Sequence, residues 1–324
     1  MPEELYTYAV ARIRSRELFL LDSQFIEQLM AAGSYEECLR LLADKGWGKE
    51  DRPQMEQLLA DERDKAWNLI AELVEDMSVF DVFLYANDYH NLKTAVKLIY
   101  RNTDKEEKRL FLNHGTTDPA LILEAIRTQD FLLLPEAMRK PGREAYEALM
   151  HTRDGQLCDR IVDRAALEAI HQAGKARDNE LLQQYAELTV AAADIKIAVR
   201  AQKTGKSLEW ICSALAPCDT LDVGRLSQAA ASGFHDICEY LKHTVYVEGV
   251  EELEHSLSAF ERWCDNRLIR EIRPQKYNPF TVSPLAAFLL ARENEIKTVR
   301  ILLLGKRNRL PEESIRERLR EMYV

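Results

Sequence analysis

Glycine and proline are scarce, at 12 and 10 in 324 residues. That is too few to punctuate a many-stranded sheet with turns, and the abundance of Leu, Ala, Glu and Arg favours helices joined by short connections. Cysteine is sparser still. Cys38, Cys158, Cys212, Cys218, Cys238 and Cys264 form no CxxC pair, and no basic segment followed by an apolar run opens the chain, so buried reduced thiols in a reducing cytoplasm are expected. No stretch of about 18 uncharged apolar residues is present, which leaves only peripheral contact with a membrane. Cations are outnumbered, 44 Lys and Arg against 54 Asp and Glu for a net charge of −10. Nucleic-acid binding, which draws on phosphate neutralisation, is thereby disfavoured.

The motifs of common chemistries are missing too. There is no GxxxxGK[ST] and no GxGxxG, and Gly205-Lys206-Ser207 lacks the glycine-rich loop that would cradle a phosphate. No nucleophile elbow or reactive-cysteine context stands out. His235-Asp236 is the pair that names the HD-type metal phosphohydrolases, with Glu239 and His243 one and two turns on, yet no partner signature supplies the further ligands such a site needs. No catalytic residue, metal or cofactor is therefore expected. A metal hydrolase and a generic helical scaffold stand as the alternative readings.

What the chain does have is helical periodicity with a long repeat. Ser283 reads as an N-cap, Pro284 as the first helical position and Gly305 as a left-handed stop, with Leu285, Phe288, Leu289, Ile296, Val299 and Leu303 on one face. Two upstream stretches, Asp88–Lys97 and Ala193–Arg200, place Lys93 and Lys196 where this helix places Lys297, a period of roughly a hundred residues. Ser34-Tyr-Glu-Glu37 is a capping-box spacing. A helix from about Glu3 to Leu21, a break at Asp51–Pro53, a long antiparallel pair broken near Ser78–Asp81, punctuation at Pro141-Gly142, a turn at Gly174 and a last helix reaching Met322 complete the reading.

Ala31–Leu42 also aligns with Ala230–Leu241, Tyr35 falling on Phe234 and Leu42 on Leu241. The N-terminal fifty residues are accordingly expected to complete a third unit. The expected units are 51–152, 153–249, and 250–324 with 1–50. Lys297, Arg300, Lys306, Arg307 and Arg309 form a run without an intervening acid, which suggests a docking surface for an acidic partner or lipid headgroups.

Phe83-Leu-Tyr-Ala-Asn-Asp-Tyr-His-Asn-Leu-Lys93, the Asp194-Ile-Lys196 echo, Asn278-Pro-Phe280, the ending Leu303–Arg316 and Tyr8–Arg14 together resemble the C subunits of the bacterial and archaeal V-type (A-type) ATP synthases, whose eukaryotic counterpart is the d subunit of the vacuolar ATPase. The resemblance implies an all-α fold of three similar helical domains in a pseudo-threefold funnel without a sheet. It implies a non-catalytic central-stalk component on the cytoplasmic face of the membrane, joining the shaft made by the D and F subunits to the membrane rotor ring of c, K or L type. Its work would be torque transmission between ATP turnover and proton or sodium passage. Lys93, Lys196, Lys297, Arg300, Lys306 and Arg307 are the expected interface positions.

Overall fold

The computed structural model describes residues 6–48, 54–102 and 107–324. Among them run sixteen α-helices and several 3-10 turns, with no strand. In chain order they are α1 (Thr7–Glu17), α2 (Ser23–Ala31), α3 (Tyr35–Asp44), α4 (Met55–Leu73), α5 (Asp81–Arg101), α6 (Pro119–Thr128), α7 (Glu136–Thr152), α8 (Gly155–Lys175), α9 (Glu180–Lys203), α10 (Leu208–Ala214), α11 (Val223–Ser232), α12 (Phe234–Leu241), α13 (Val250–His255), α14 (Leu257–Ile272), α15 (Ser283–Arg307) and α16 (Glu312–Arg316). The chain divides into two compact units, Met1–Met77 with Glu251–Val324, and Ser78–Val250. Glu3, Leu5 and the Asp51–Pro53 break lie outside the described residues.

In the first unit α15 is the central element, packed against α1, α3, α4, α14 and α16. Phe25, Ile26, Leu29, Cys38, Leu42, Leu58 and Leu59 bury against Ile296, Val299, Leu302 and Leu303 of α15, so the N-terminal helices share one core with the C-terminal ones. Half of the capping box forms: Ser34 Oγ accepts the Glu37 N–H at 3.1 Å, while Glu37 Oε2 accepts the N–H of Gly33, one residue before the cap, at 2.8 Å. Gly46, at φ +83°, closes α3.

Both expected ends of α15 are displaced. Ser283 lies inside the helix, and its own N–H is taken by the Thr281 hydroxyl at 3.3 Å, so the preceding turn supplies the acceptor. Gly305 is helical. The left-handed residue is Arg309, and the Leu310 N–H reaches back to the Gly305 carbonyl at 2.9 Å. The glycine serves packing: a Cβ at 305 would stand 2.5 Å from Ile315 Cγ1. The last helix stops at Arg316; Leu319 and Met322 pack onto the core from the tail beyond it.

In the second unit α5 is covered by α6, α7 and α8, and α9 by α8, α10, α11 and α12. Helices α4 and α5, expected as an antiparallel pair, belong to different units, where α4 covers its apolar face on α15 and α5 on α8. Gly174 lies inside α8, where a Cβ would come within 2.4 Å of Ala186 Cβ; close helix approach, not a turn, requires it.

Helix α7 runs through Pro141, where the sequence suggests a break. Proline has no N–H for the carbonyl four residues earlier. That carbonyl, on Ala137, instead accepts the Tyr89 hydroxyl at 3.2 Å. Tyr89→Phe should therefore cost about 0.5–1.5 kcal/mol, the usual net contribution of one hydrogen bond. In a Pro141→Ala background, where the restored N–H recaptures Ala137 O, the same change should cost almost nothing. A urea-denaturation double-mutant cycle with equal Tyr89→Phe effects in both backgrounds would refute this account.

Candidate functional site

Of the six expected interface cations, two lie in the second unit, on α5 and α9, and four in the first, along α15. On α5, Lys93 reaches Asp163 Oδ1 of α8 at 2.6 Å, and one turn on Lys97 reaches Asp159 at 2.5 Å. Lys196 is half-buried on α9. The other four lie along α15. Lys297 pairs with Asp265 at 2.8 Å, and Arg320 meets the same carboxylate at 3.0 Å. Burial pushes the Asp265 carboxyl upward, but these two cations outweigh it and hold the group below its ordinary range. Arg300 pairs with Glu56 at 2.7 Å. Lys306 donates to the Met30 and Ala32 carbonyls at 2.5 and 2.7 Å, satisfying acceptors left over at the end of α2. Arg307 is exposed.

A feature that sequence reasoning missed stands two residues before each repeated lysine. Asn91, Asp194 and Glu295 occupy these positions, each at most 1% exposed. Each ties its long helix to a segment that leads into a short helix. Asn91 Oδ1 accepts the Leu112 N–H at 2.8 Å, and Asn91 Nδ2 donates to the Leu112 carbonyl at 3.0 Å, ahead of α6. Asp194 Oδ1 accepts the Ala216 N–H at 3.1 Å, ahead of α11. Glu295 Oε1 accepts the Leu21 N–H at 2.5 Å, ahead of α2. The lysine frame already contained the signal, since a polar residue inside an apolar helical stretch calls for a buried partner.

The environments differ. Burial pushes Asp194 up to about 7 despite the Ala216 N–H and the Arg164 charge, and its Oδ2 has no hydrogen-bond partner. Burial likewise lifts Glu295 to about 8, opposed by Arg292 and the Leu21 N–H and assisted by Glu62. Arg292 lies 2.7 Å from Glu295 Oε2 and 3.6 Å from Glu62 Oε2, with its guanidinium 5.5 Å from the centre of the Trp47 ring. A cavity of about 720 Å³ opens beside this group, with Trp47, Phe288, Glu62, Lys65 and Arg292 in its wall.

His235 and Asp236 are exposed at the start of α12. Among the described residues the group with the makings of a metal site is a different one, His171, Glu187 and Asp219. His171 Nε2 lies 3.3 Å from Glu187 Oε2 and 3.8 Å from Asp219 Oδ2. Its charges are already answered. Lys175 pairs with Asp219 at 2.7 Å, while Glu187 accepts the Asp219 and Thr220 N–H groups and the Thr220 hydroxyl.

Charges are thus paired across helix faces, and Lys175 stands at the one candidate metal group among the described residues. Residues 9–318 match the family described as ATP synthase (C/AC39) subunit. The chain belongs to that family, the non-catalytic C subunits of V- and A-type rotary ATPase complexes. It is similar to the V-type sodium ATPase C subunit of Enterococcus hirae, 24% identical with 96% of this chain and 97% of the relative covered. It is 23% identical to the A-type ATP synthase C subunit of Methanocaldococcus jannaschii over 97% of this chain and 86% of that protein. With the V-type ATP synthase C subunit of Thermus thermophilus it shares 24% over 93% and 94%. No helix among the described residues is long and apolar enough to cross a membrane.

Proposed function

We propose that this chain is the socket of a rotary V/A-type ATPase. It would receive the D and F shaft subunits, seat on the membrane rotor ring at the cytoplasmic face, and transmit torque between ATP turnover and ion passage. The observation that carries this reading is the polar anchor recurring at Asn91, Asp194 and Glu295 in one lysine frame, within a chain that matches its family nearly end to end. Three equivalent helical units, 51–152, 153–249 and 250–324 with 1–50, arranged as a pseudo-threefold funnel, account for that recurrence.

A torque-bearing part needs rigidity, and long helices tied to their loops by buried polar bonds supply it. Lys93, Lys196, Lys297, Arg300, Lys306 and Arg307 are the proposed contact positions. An exposed pair contributes only about 0–1 kcal/mol, so Lys93 and Lys297 can exchange an internal carboxylate for a partner's at small expense.

The test is capture of the purified chain by co-expressed D and F and, separately, by the detergent-solubilised ring. Both are expected to bind it, and changing Lys93, Lys196 and Lys297 together to Gln should weaken capture several-fold, more at low salt than high. Failure to bind either at tens of micromolar, an affinity weaker than roughly −6 kcal/mol, would overturn the reading.

A further inference from the structure

His171, Glu187 and Asp219 bring together three parts of the second unit: His171 stands on α8, Glu187 on α9, and Asp219 in the loop between α10 and α11. The hydrogen bonds that answer the charges of this group also fix its shape. Thr220 donates both its N–H and its hydroxyl to Glu187 Oε1, which leaves Oε2 to the Asp219 N–H and to His171. Lys175 takes Asp219 Oδ1 and leaves Oδ2 on the His171 side. His171 Nε2 lies near both of these oxygens and hydrogen-bonds to neither, so it is a buried nitrogen without a partner.

We propose that His171 Nε2, Glu187 Oε2 and Asp219 Oδ2 are three ligands of a divalent transition-metal site, with zinc as the ion it suits and water as the fourth ligand. Two observations point to an ion. The first is distance. A tetrahedral zinc ion holds nitrogen and oxygen ligands at about 2.0–2.2 Å, so its ligand atoms stand roughly 3.3–3.5 Å apart. His171 Nε2 is 3.3 Å from Glu187 Oε2 and 3.8 Å from Asp219 Oδ2, and the three atoms lie within 4.8 Å of one another. Asp219 is 60% exposed on its loop and is free to close the remaining gap. The second observation is the orphaned nitrogen. A proton on Nε2 meets no acceptor in line, which is costly for a buried group. A lone pair there meets an ion that both carboxylates also hold.

The donor set selects the class of ion, because imidazole with carboxylates suits first-row transition metals, whereas magnesium and calcium take oxygen ligands. Thr220 and Lys175 supply the outer hydrogen bonds that orient ligating carboxylates. An ion held at this point ties α8 and α9 to the loop that leads into α11, and so stiffens the second unit.

The full chain, free of any affinity tag and stripped with EDTA, is to be titrated with zinc by calorimetry in excess magnesium, and with cobalt(II) by visible absorption. One zinc per chain at micromolar affinity or tighter is expected, with the intense bands of four-coordinate cobalt. His171→Gln and Asp219→Asn should each weaken binding by at least about tenfold. Zinc should raise the unfolding temperature of the parent and not that of these variants. Lys175→Gln removes a positive charge beside the ion and should tighten binding several-fold. His235→Gln, at the exposed start of α12, should bind as the parent does. No zinc binding at tens of micromolar would overturn the proposal, as would the weak bands of six-coordinate cobalt. So would His171→Gln and Asp219→Asn variants that bind as the parent does, which would put the ion on other surface groups. If His171→Gln does not fold, Asp219→Asn, made at an exposed position, decides the question.

Discussion

Arg292→Ala should destabilise the Met1–Met77 and Glu251–Val324 unit by about 3–5 kcal/mol, the usual consequence of breaking a buried ion pair by removing one partner. Arg292 is 7% exposed and stands between two carboxyl groups that are themselves buried, Glu62 and Glu295. Truncation leaves both without their shared cation, opens space beside Trp47 and removes the guanidinium over its ring. Glu295→Gln keeps the side-chain carbonyl that receives the Leu21 N–H, so it should cost far less. At pH 9, where Glu295 is largely ionised, the double variant should be much less unstable than the sum of the single ones, because a neutral glutamine amide needs no counter-charge. Strict additivity in guanidinium titrations would show that Arg292 acts by packing alone.

The sign of the pH dependence is fixed by Glu295. Its folded pKa, about 8, lies above the ordinary 4.5. The stability it confers by holding a proton is complete below pH 4.5 and is lost as pH rises towards 8. The Arg292→Ala defect should accordingly deepen as pH rises through about 8, as the cation that moderates this loss is gone.

Asp194→Asn should act in the opposite direction and stabilise the second unit. Asp194 is fully buried on α9, facing Arg164 of α8 and Glu187 of its own helix, with one carboxyl oxygen bonded to Ala216 and the other unpartnered. Its carboxyl titrates near 7 in the fold and at 3.8 ordinarily, so the native state retains a proton that the unfolded chain gives up. Linkage makes this a cost that begins near pH 4, grows to about pH 7 and is constant above it, at most about 4 kcal/mol. Asparagine does not titrate, and the first repeat already carries Asn91 at this position, with both amide atoms bonded to Leu112. The variant should match the parent near pH 4 and exceed it by about 2–4 kcal/mol at pH 8. A difference that stays flat from pH 4 to pH 8 in chemical denaturation would refute the assignment of the proton to Asp194.

Much of this architecture is legible in the sequence because it depends on neighbours within one turn. The Ser34 cap of α3 is short-range hydrogen-bond chemistry, and it stands where the residues predict. The lysine frame is legible in the same way, as spacing. The departures at Pro141, Gly174 and Gly305 share one cause. Each residue has a local habit, as breaker, turn former or stop, and each is overruled by a group beyond its own turn of helix: the Tyr89 hydroxyl, the Ala186 methyl and the Ile315 side chain.

By itself, then, the sequence determined the helices, most of their ends and the recurrence of one helical frame, since these follow from backbone propensity and side-chain periodicity along a single segment. Only the tertiary structure decided that α4 pairs with α15 and α5 with α8, that Arg292 stands between two buried acids, and that Lys297, Arg300 and Lys306 of α15 already have partners. Those outcomes depend on which surfaces meet, and burial energy is settled between segments, where no local pattern records it.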